Sequence, residues 1–184
     1  MPEVKTKRDD ILRKQEILAT LENAKNVVDW LPCCIALLWM FGKRISEILQ
    51  LNRESVYTDD RYLYVRFLVL KKKTRKDPPI PKPYLKRISL KHPGIPYVLD
   101  YLATTKQGPL FPNMYREKAR YYFRKANQKA WFHLFRESLA TEMAERGATE
   151  EDLMHWFDWD RVDTAHSYVK RGTKLTEKWS DRTW

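Results

Sequence analysis

The sequence predicts an α+β fold that is mostly α-helical and carries one small antiparallel sheet. Three observations predict it. Apolar residues recur at helical spacing near both ends of the chain. A single block between residues 56 and 90 is rich in Tyr, Val and Phe, as strands are. A proline-rich turn divides that block into an outgoing and a returning run.

The elements follow in order. Residues 10–28 place Ile11, Ile17, Leu18, Leu21, Ala24 and Val28 on one face, which predicts an amphipathic helix. Residues 30–41, WLPCCIALLWMF, are apolar all round and predict a buried helix with Pro32 in its first turn. Gly42 breaks that helix, and KRISEILQL begins another. RYLYVRFLVL (61–70) and YLKRISL (84–90) predict two strands around KKKTRKDPPIPKP, with Val56 and Tyr57 adding a short third strand. Beyond Pro96 the pattern is helical, with helices expected near 97–104, 114–128, 131–146, 149–157 and 161–170. At 184 residues, the chain suits one domain spanning 1–184.

No apolar run is long enough to span a membrane, and no signal-peptide pattern opens the chain, so an intracellular location is expected. Cys33 and Cys34 are sequence neighbours in an apolar stretch, a poor arrangement for a disulfide or a metal site and a good one for core packing. Lys and Arg total 35 against 24 Asp and Glu, a net charge of +11 that suits a polyanionic partner or simple solubility equally well. The distribution is more telling. Residues 66–91 carry ten basic side chains against Asp77 alone, and residues 113–136 carry seven against Glu117 alone. Residues 142–152 instead concentrate Glu142, Glu145, Glu150, Glu151 and Asp152. Two basic segments and one acidic one imply a molecule with a nucleic-acid side and a back.

Four short patterns carry possible chemistry. In FGKRISEILQL, Arg44 offers a guanidinium that can grip two oxygens of one phosphate, and Glu47 lies where it can orient it. Alone, such a pair reads more simply as a surface ion pair. In HLFR, His133 and Arg136 share a helix face. In FDWDRVDTAHSYV, Trp159 precedes Tyr168 by nine residues; singly, each reads as an ordinary aromatic. LKKKT places Lys71, Lys72 and Lys73 at the tip of the strand turn.

Together these patterns resemble the tyrosine recombinase (phage integrase) family, over about residues 13–170. Arg-x-x-Glu, hairpin lysine, His-x-x-Arg, Trp and Tyr occur once each, in the family's order and at similar distances. The resemblance extends to the virus- or plasmid-type integrases, including archaeal ones. Within it, Lys73 is preferred for the lysine because it precedes Thr74, and Trp159 falls at a position that usually takes His or Trp. Asp158 departs from the family's usual glycine, and His155, a competitor for the histidine role, fits the register badly.

The resemblance implies the family's catalytic fold and site-specific DNA recombination without a metal or other cofactor. Tyr168 would attack the scissile phosphorus and leave a 3′-phosphotyrosyl intermediate. Arg44 and Arg136 would stabilise the phosphorane, His133 would accept a proton or donate to the phosphate, Trp159 would support the site, and Lys73 would protonate the leaving 5′-oxygen. Lys71, Lys72, Arg75, Lys76, Arg120 and Arg124 are expected to bind double-stranded DNA. Relatives usually carry a core-binding domain ahead of the catalytic one, and none is recognised here, whether because the chain is a fragment or a minimal form. The tail 171–184, with Trp179 and Trp184, would dock on a neighbouring protomer in a tetramer on paired sites, or pack on its own domain. The same chemistry would allow a type IB topoisomerase-like nicking-closing activity. A reading from another class is a DNA-binding protein on this fold that no longer cleaves.

Overall fold

The computed structural model describes residues 11–69 and 82–170. Its centre is helix α2 (Leu31–Phe41), all of whose residues are buried. A helix apolar on every side must be enclosed, and α2 packs against α1 (Lys14–Lys25), α4 (Ile95–Thr104) and α6 (Phe132–Glu145). Pro32 lies in its first turn, as expected. Cys33 and Cys34 are fully buried, and burial pushes both thiols up, which leaves them as inert packing groups.

Helix α1 is shorter than the sequence period suggests. The Glu16 carboxylate accepts from the Arg13 backbone N–H at 2.8 Å and sets the start. At the other end, the N–H groups of Val27 and Val28 turn back onto the Ala24 carbonyl, so Val28 lies past the helix. The buried stripe is Ile17, Thr20, Leu21 and Ala24, spaced for one helical face.

After α2 come the short helix α3 (Ile45–Leu49) and a 3-10 turn at Arg53–Ser55. Three antiparallel strands follow in the order β1 (Val56–Thr58), β2 (Tyr62–Val69) and β3 (Lys82–Ser89). The side-chain period of two buries Leu63, Val65 and Phe67 of β2. Their cross-strand partners Ile88, Lys86 and Tyr84 therefore face the interior as well. An inward lysine is the exception in this pattern.

The remaining elements are α5 (Arg116–Ala126), α7 (Glu150–Phe157) and a helix, α8, over 162–170. A second, smaller apolar cluster joins Ala140, Ala144, Leu153, Phe157 and Ala165 from α6, α7 and α8. Among the described residues, no helix is long and apolar enough to cross a membrane.

Gly42 joins the central helix to the site. It closes α2 in the left-handed conformation (φ 57°, ψ 29°), with its N–H on the Leu38 carbonyl at 2.8 Å. A Cβ there would collide with the Phe157 ring and crowd Leu139. Gly42→Ala should therefore lower stability by about 2–4 kcal/mol, combining left-handed strain with overpacking. Urea unfolding at neutral pH checks this, and an unchanged midpoint would contradict the close approach of α2 to α7.

Candidate active site

The site is built around the end of α7. Asp158 caps that helix in the left-handed conformation (φ 53°, ψ 49°), its N–H on the Met154 carbonyl. Among non-glycine residues, Asp and Asn tolerate this region best, so an aspartate makes the turn that glycine would otherwise make. The last carbonyls of a helix have no partner within it. Here three in a row are taken by cations from three different elements. Lys86 Nζ of β3 donates to the His155 carbonyl at 2.8 Å. Lys43 Nζ, from the turn between α2 and α3, donates to the Trp156 carbonyl at 3.2 Å and pairs with the Asp158 carboxylate. Arg136 Nη2 of α6 donates to the Phe157 carbonyl at 2.6 Å.

The second hand of Arg136 is also engaged. Its Nη1 donates to the Gly42 carbonyl at 2.6 Å, so the guanidinium bridges α2's end and α7's end. Its carbon lies 5.0 Å from the Phe157 ring centre and 5.5 Å from that of Trp159. Burial, and then the charge of Arg44, lower the Arg136 pKa to about 10, with Glu47 and Asp158 opposing. The group is thus still charged at neutral pH but is poorly compensated.

The aromatic residues form a stack beneath it. Phe157 and Trp159 lie 4.8 Å apart between centres at 20°, and Trp159 and Tyr168 lie 5.3 Å apart at 16°. Tyr168 on α8 is thereby held beside the residue that touches Arg136.

Arg44 is the N-cap of α3 rather than part of the helix, because the Glu47 carboxylate accepts from its backbone N–H at 2.8 Å. The same carboxylate lies 3.7 Å from the Arg44 guanidinium, whose side chain remains half exposed. Arg44 and His133 line one cleft of about 660 Å³ together with Arg116, Arg120 and Arg124. Those three arginines recur every four residues on α5, one exposed stripe opposite buried Ala119 and Phe123. His133 is exposed, with Nε2 3.8 Å from Glu137.

Arg44, His133, Arg136, Trp159, Tyr168, Glu47, Arg120 and Arg124 are thus gathered on one side by α3, α5, α6, the α7 end and α8. His155 is exposed and contributes only its carbonyl. Lys71, Lys72, Lys73, Arg75 and Lys76 lie outside the described residues, as do Trp179 and Trp184 of the tail.

The sequence profile of the phage integrase family matches residues 10–174. The chain belongs to that family. Solved structures similar to this integrase-family chain include the XerH site-specific recombinase bound to its difH substrate in a pre-cleavage complex. That match has a TM-score of 0.61 at 16% identity, covering 87% of this chain and 50% of XerH. The catalytic domain of bacteriophage HP1 integrase matches with a TM-score of 0.60 at 16% identity, over 94% of each chain. XerA recombinase matches with a TM-score of 0.60 at 17% identity, over 95% of this chain and 65% of its own. The chain therefore spans about half the length of XerH. No curated protein matches the sequence at a significant level.

Sequence reasoning missed two members of the site of this integrase-family chain. Lys86 stood among the basic residues of the presumed DNA side, yet it is buried on the inner face of β3. The signal was available, because strand alternation puts Lys86 with Tyr84 and Ile88. Lys43 left no such trace beside Arg44, and its side chain is only 1% exposed. Burial lowers the Lys43 pKa to about 8 against the pull of Asp158, and burial lowers that of Lys86 too. Between them, Tyr84 holds its hydroxyl buried near the Asp158 carboxylate without a well-formed hydrogen bond, and burial pushes its phenol well up.

Arg136→Lys tests the bridge. One ammonium cannot reach both carbonyls, so either Gly42 or Phe157 loses a charged donor, at a cost of about 1.5–3 kcal/mol. Chemical denaturation measures this, and a stability equal to that of the original chain would contradict the two-carbonyl seat.

Proposed function

We propose that this chain is the catalytic domain of a tyrosine recombinase, which cuts and rejoins double-stranded DNA through Tyr168. One observation carries the reading. The Tyr168 ring is stacked on Trp159, beside a buried guanidinium that Glu47 and Asp158 only partly compensate and that feels the repulsion of Arg44. A buried arginine and a half-exposed one whose charges repel form a seat for a phosphate, whose charge relieves that repulsion.

In the proposed reaction, the Tyr168 oxygen attacks the scissile phosphorus in line, and the bond to the 5′-oxygen breaks. The product is a 3′-phosphotyrosyl ester and a 5′-hydroxyl. Attack by a second 5′-hydroxyl restores the tyrosine and joins the strands, so the bond's energy is conserved. A guanidinium has five N–H donors; Arg136 spends two on Gly42 and Phe157 and directs the others, with Arg44, to the non-bridging oxygens. His133 faces the same cleft as Arg44 and serves as proton acceptor or phosphate donor. Lys73 protonates the leaving 5′-oxygen. The stripe of Arg116, Arg120 and Arg124 follows the DNA backbone, and exchange takes place between protomers on paired sites.

Tyr168→Phe removes one oxygen and keeps the stack. On a labelled, nicked suicide duplex, DNA binding should persist while the covalent adduct disappears. Adduct formed by the Phe variant would refute the assignment of the nucleophile.

The lysine is tested by changing the leaving group. Lys73→Ala should cleave about 10²–10⁴-fold more slowly on ordinary DNA, the usual range for a lost general acid. A 5′-bridging sulfur leaves as a thiolate with a conjugate-acid pKa of about 8.5 and needs no proton donor, so it should restore the rate. Arg44→Ala should be slow on both substrates. Rescue of Lys71→Ala or Lys72→Ala instead would shift the register of the turn.

A further inference from the structure

The chemistry above leaves Lys43 without a task. Its ammonium is buried, bound to the Asp158 carboxylate and the Trp156 carbonyl, and lies 4.4 Å from the Tyr84 ring centre. The two oxygens that seat Arg136 belong to Gly42 and Phe157. The next residue after each is Lys43 and Asp158, and these two are paired with each other. The ion pair therefore ties together the same two backbone segments that the guanidinium bridges.

We propose that Lys43 and Asp158 are positioning residues, whose ion pair clamps the turn after α2 to the end of α7 and so fixes Arg136. Because Trp159 follows Asp158 directly, the clamp also sets the ring on which Tyr168 stacks. The inference rests on the recombinase reading of Arg136 and Tyr168.

Two features argue that the pair is more than filler. An apolar side chain would occupy the space between the Phe67 and Tyr84 rings without the desolvation that a buried ammonium suffers. Asp158 holds a left-handed conformation that glycine adopts more easily, and its carboxylate is paired with Lys43. The ion pair thus gives the buried ammonium a counter-charge and gives the Asp158 carboxylate a partner. The Asp158 carboxylate also places a negative charge near Lys43, Lys86 and Arg136, while Glu47 acts on Lys43 and Arg136.

The test uses the full chain and the variants Lys43→Met, Asp158→Asn, Lys43→Arg and the Met/Asn double. Asparagine tolerates the left-handed turn and removes only the charge. Proton exchange at the Arg136 guanidinium, followed by NMR, reads the seat without any need for cleavage. Single-turnover adduct formation at saturating suicide duplex reads the consequence, and DNA affinity is measured separately. In Lys43→Met and Asp158→Asn, exchange should quicken and adduct formation should slow about tenfold to a hundredfold, the scale of a small misplacement, with affinity unchanged. The double variant should be no worse than the worse single one, since both remove one interaction. Lys43→Arg should keep most of the rate.

Unchanged guanidinium exchange in a folded Lys43→Met or Asp158→Asn protein would overturn the proposal, as would losses of rate and affinity in step. Should Lys43→Met not fold, Asp158→Asn and Lys43→Arg decide the matter alone. If the original chain forms no adduct at all, the recombinase reading fails, and the exchange measurement still decides the clamp.

Discussion

An α-helix ends in carbonyl oxygens that the helix itself cannot satisfy, and the negative end of its dipole lies there as well. In α7 those of His155, Trp156 and Phe157 are taken by Lys86, Lys43 and Arg136. The donors arrive from the sheet, from the turn after the central helix and from α6. The end of α7 is thus where otherwise separate parts of the fold are fastened together. Loosening it would release Arg136, Trp159 and the approach of Gly42 at once, because all three depend on where Phe157 and Asp158 stand.

This fastening has an electrostatic cost. Four cations, Lys43, Lys86, Arg136 and Arg44, gather against two carboxylates, Asp158 and Glu47. Burial and mutual repulsion lower the Arg136 pKa to about 10 and that of Lys43 to about 8. In the free protein such charges oppose folding, since an apolar substitute avoids desolvation. On the proposed reading, the same arrangement presents an incoming phosphate with donors that need no reorganisation. The core that carries this cost is secured by the fully enclosed α2.

The element order was legible in the sequence because each element announced its own period or break. The all-apolar run 31–41, the glycine after it, the strand block and the helices beyond Pro96 all appear where expected. The boundaries differ where a side chain caps a terminus, as Glu16 does for Arg13 and Glu47 for Arg44. Arg44, His133, Arg136, Trp159 and Tyr168 were singled out by their resemblance to the family's motifs, and the fold links them through one cleft and one aromatic stack. Lys43 and Lys86 were not, because a buried lysine looks like any other basic residue until its acceptor is known. Their acceptors are backbone carbonyls more than sixty residues away in the chain, and a backbone oxygen leaves no mark in a sequence. Asp158 illustrates the same limit from the other side. It looked like a break in the glycine turn, yet its φ of 53° keeps the turn, and its carboxylate meets a lysine that only the fold brings near.

The way Tyr168 is held differs from the way the arginines are held. Hydrogen bonds to the Gly42 and Phe157 carbonyls hold Arg136 from two directions. The Tyr168 ring lies on the face of Trp159, itself stacked on Phe157. Offset stacking confines a ring to a plane but is tolerant of sliding within it. Hydrogen bonds on the guanidinium and ring stacking toward Tyr168 divide the contacts at this point of the fold into two kinds. The division begins at Phe157 and Asp158, where the Phe157 carbonyl binds Arg136 and its ring starts the stack beneath Tyr168.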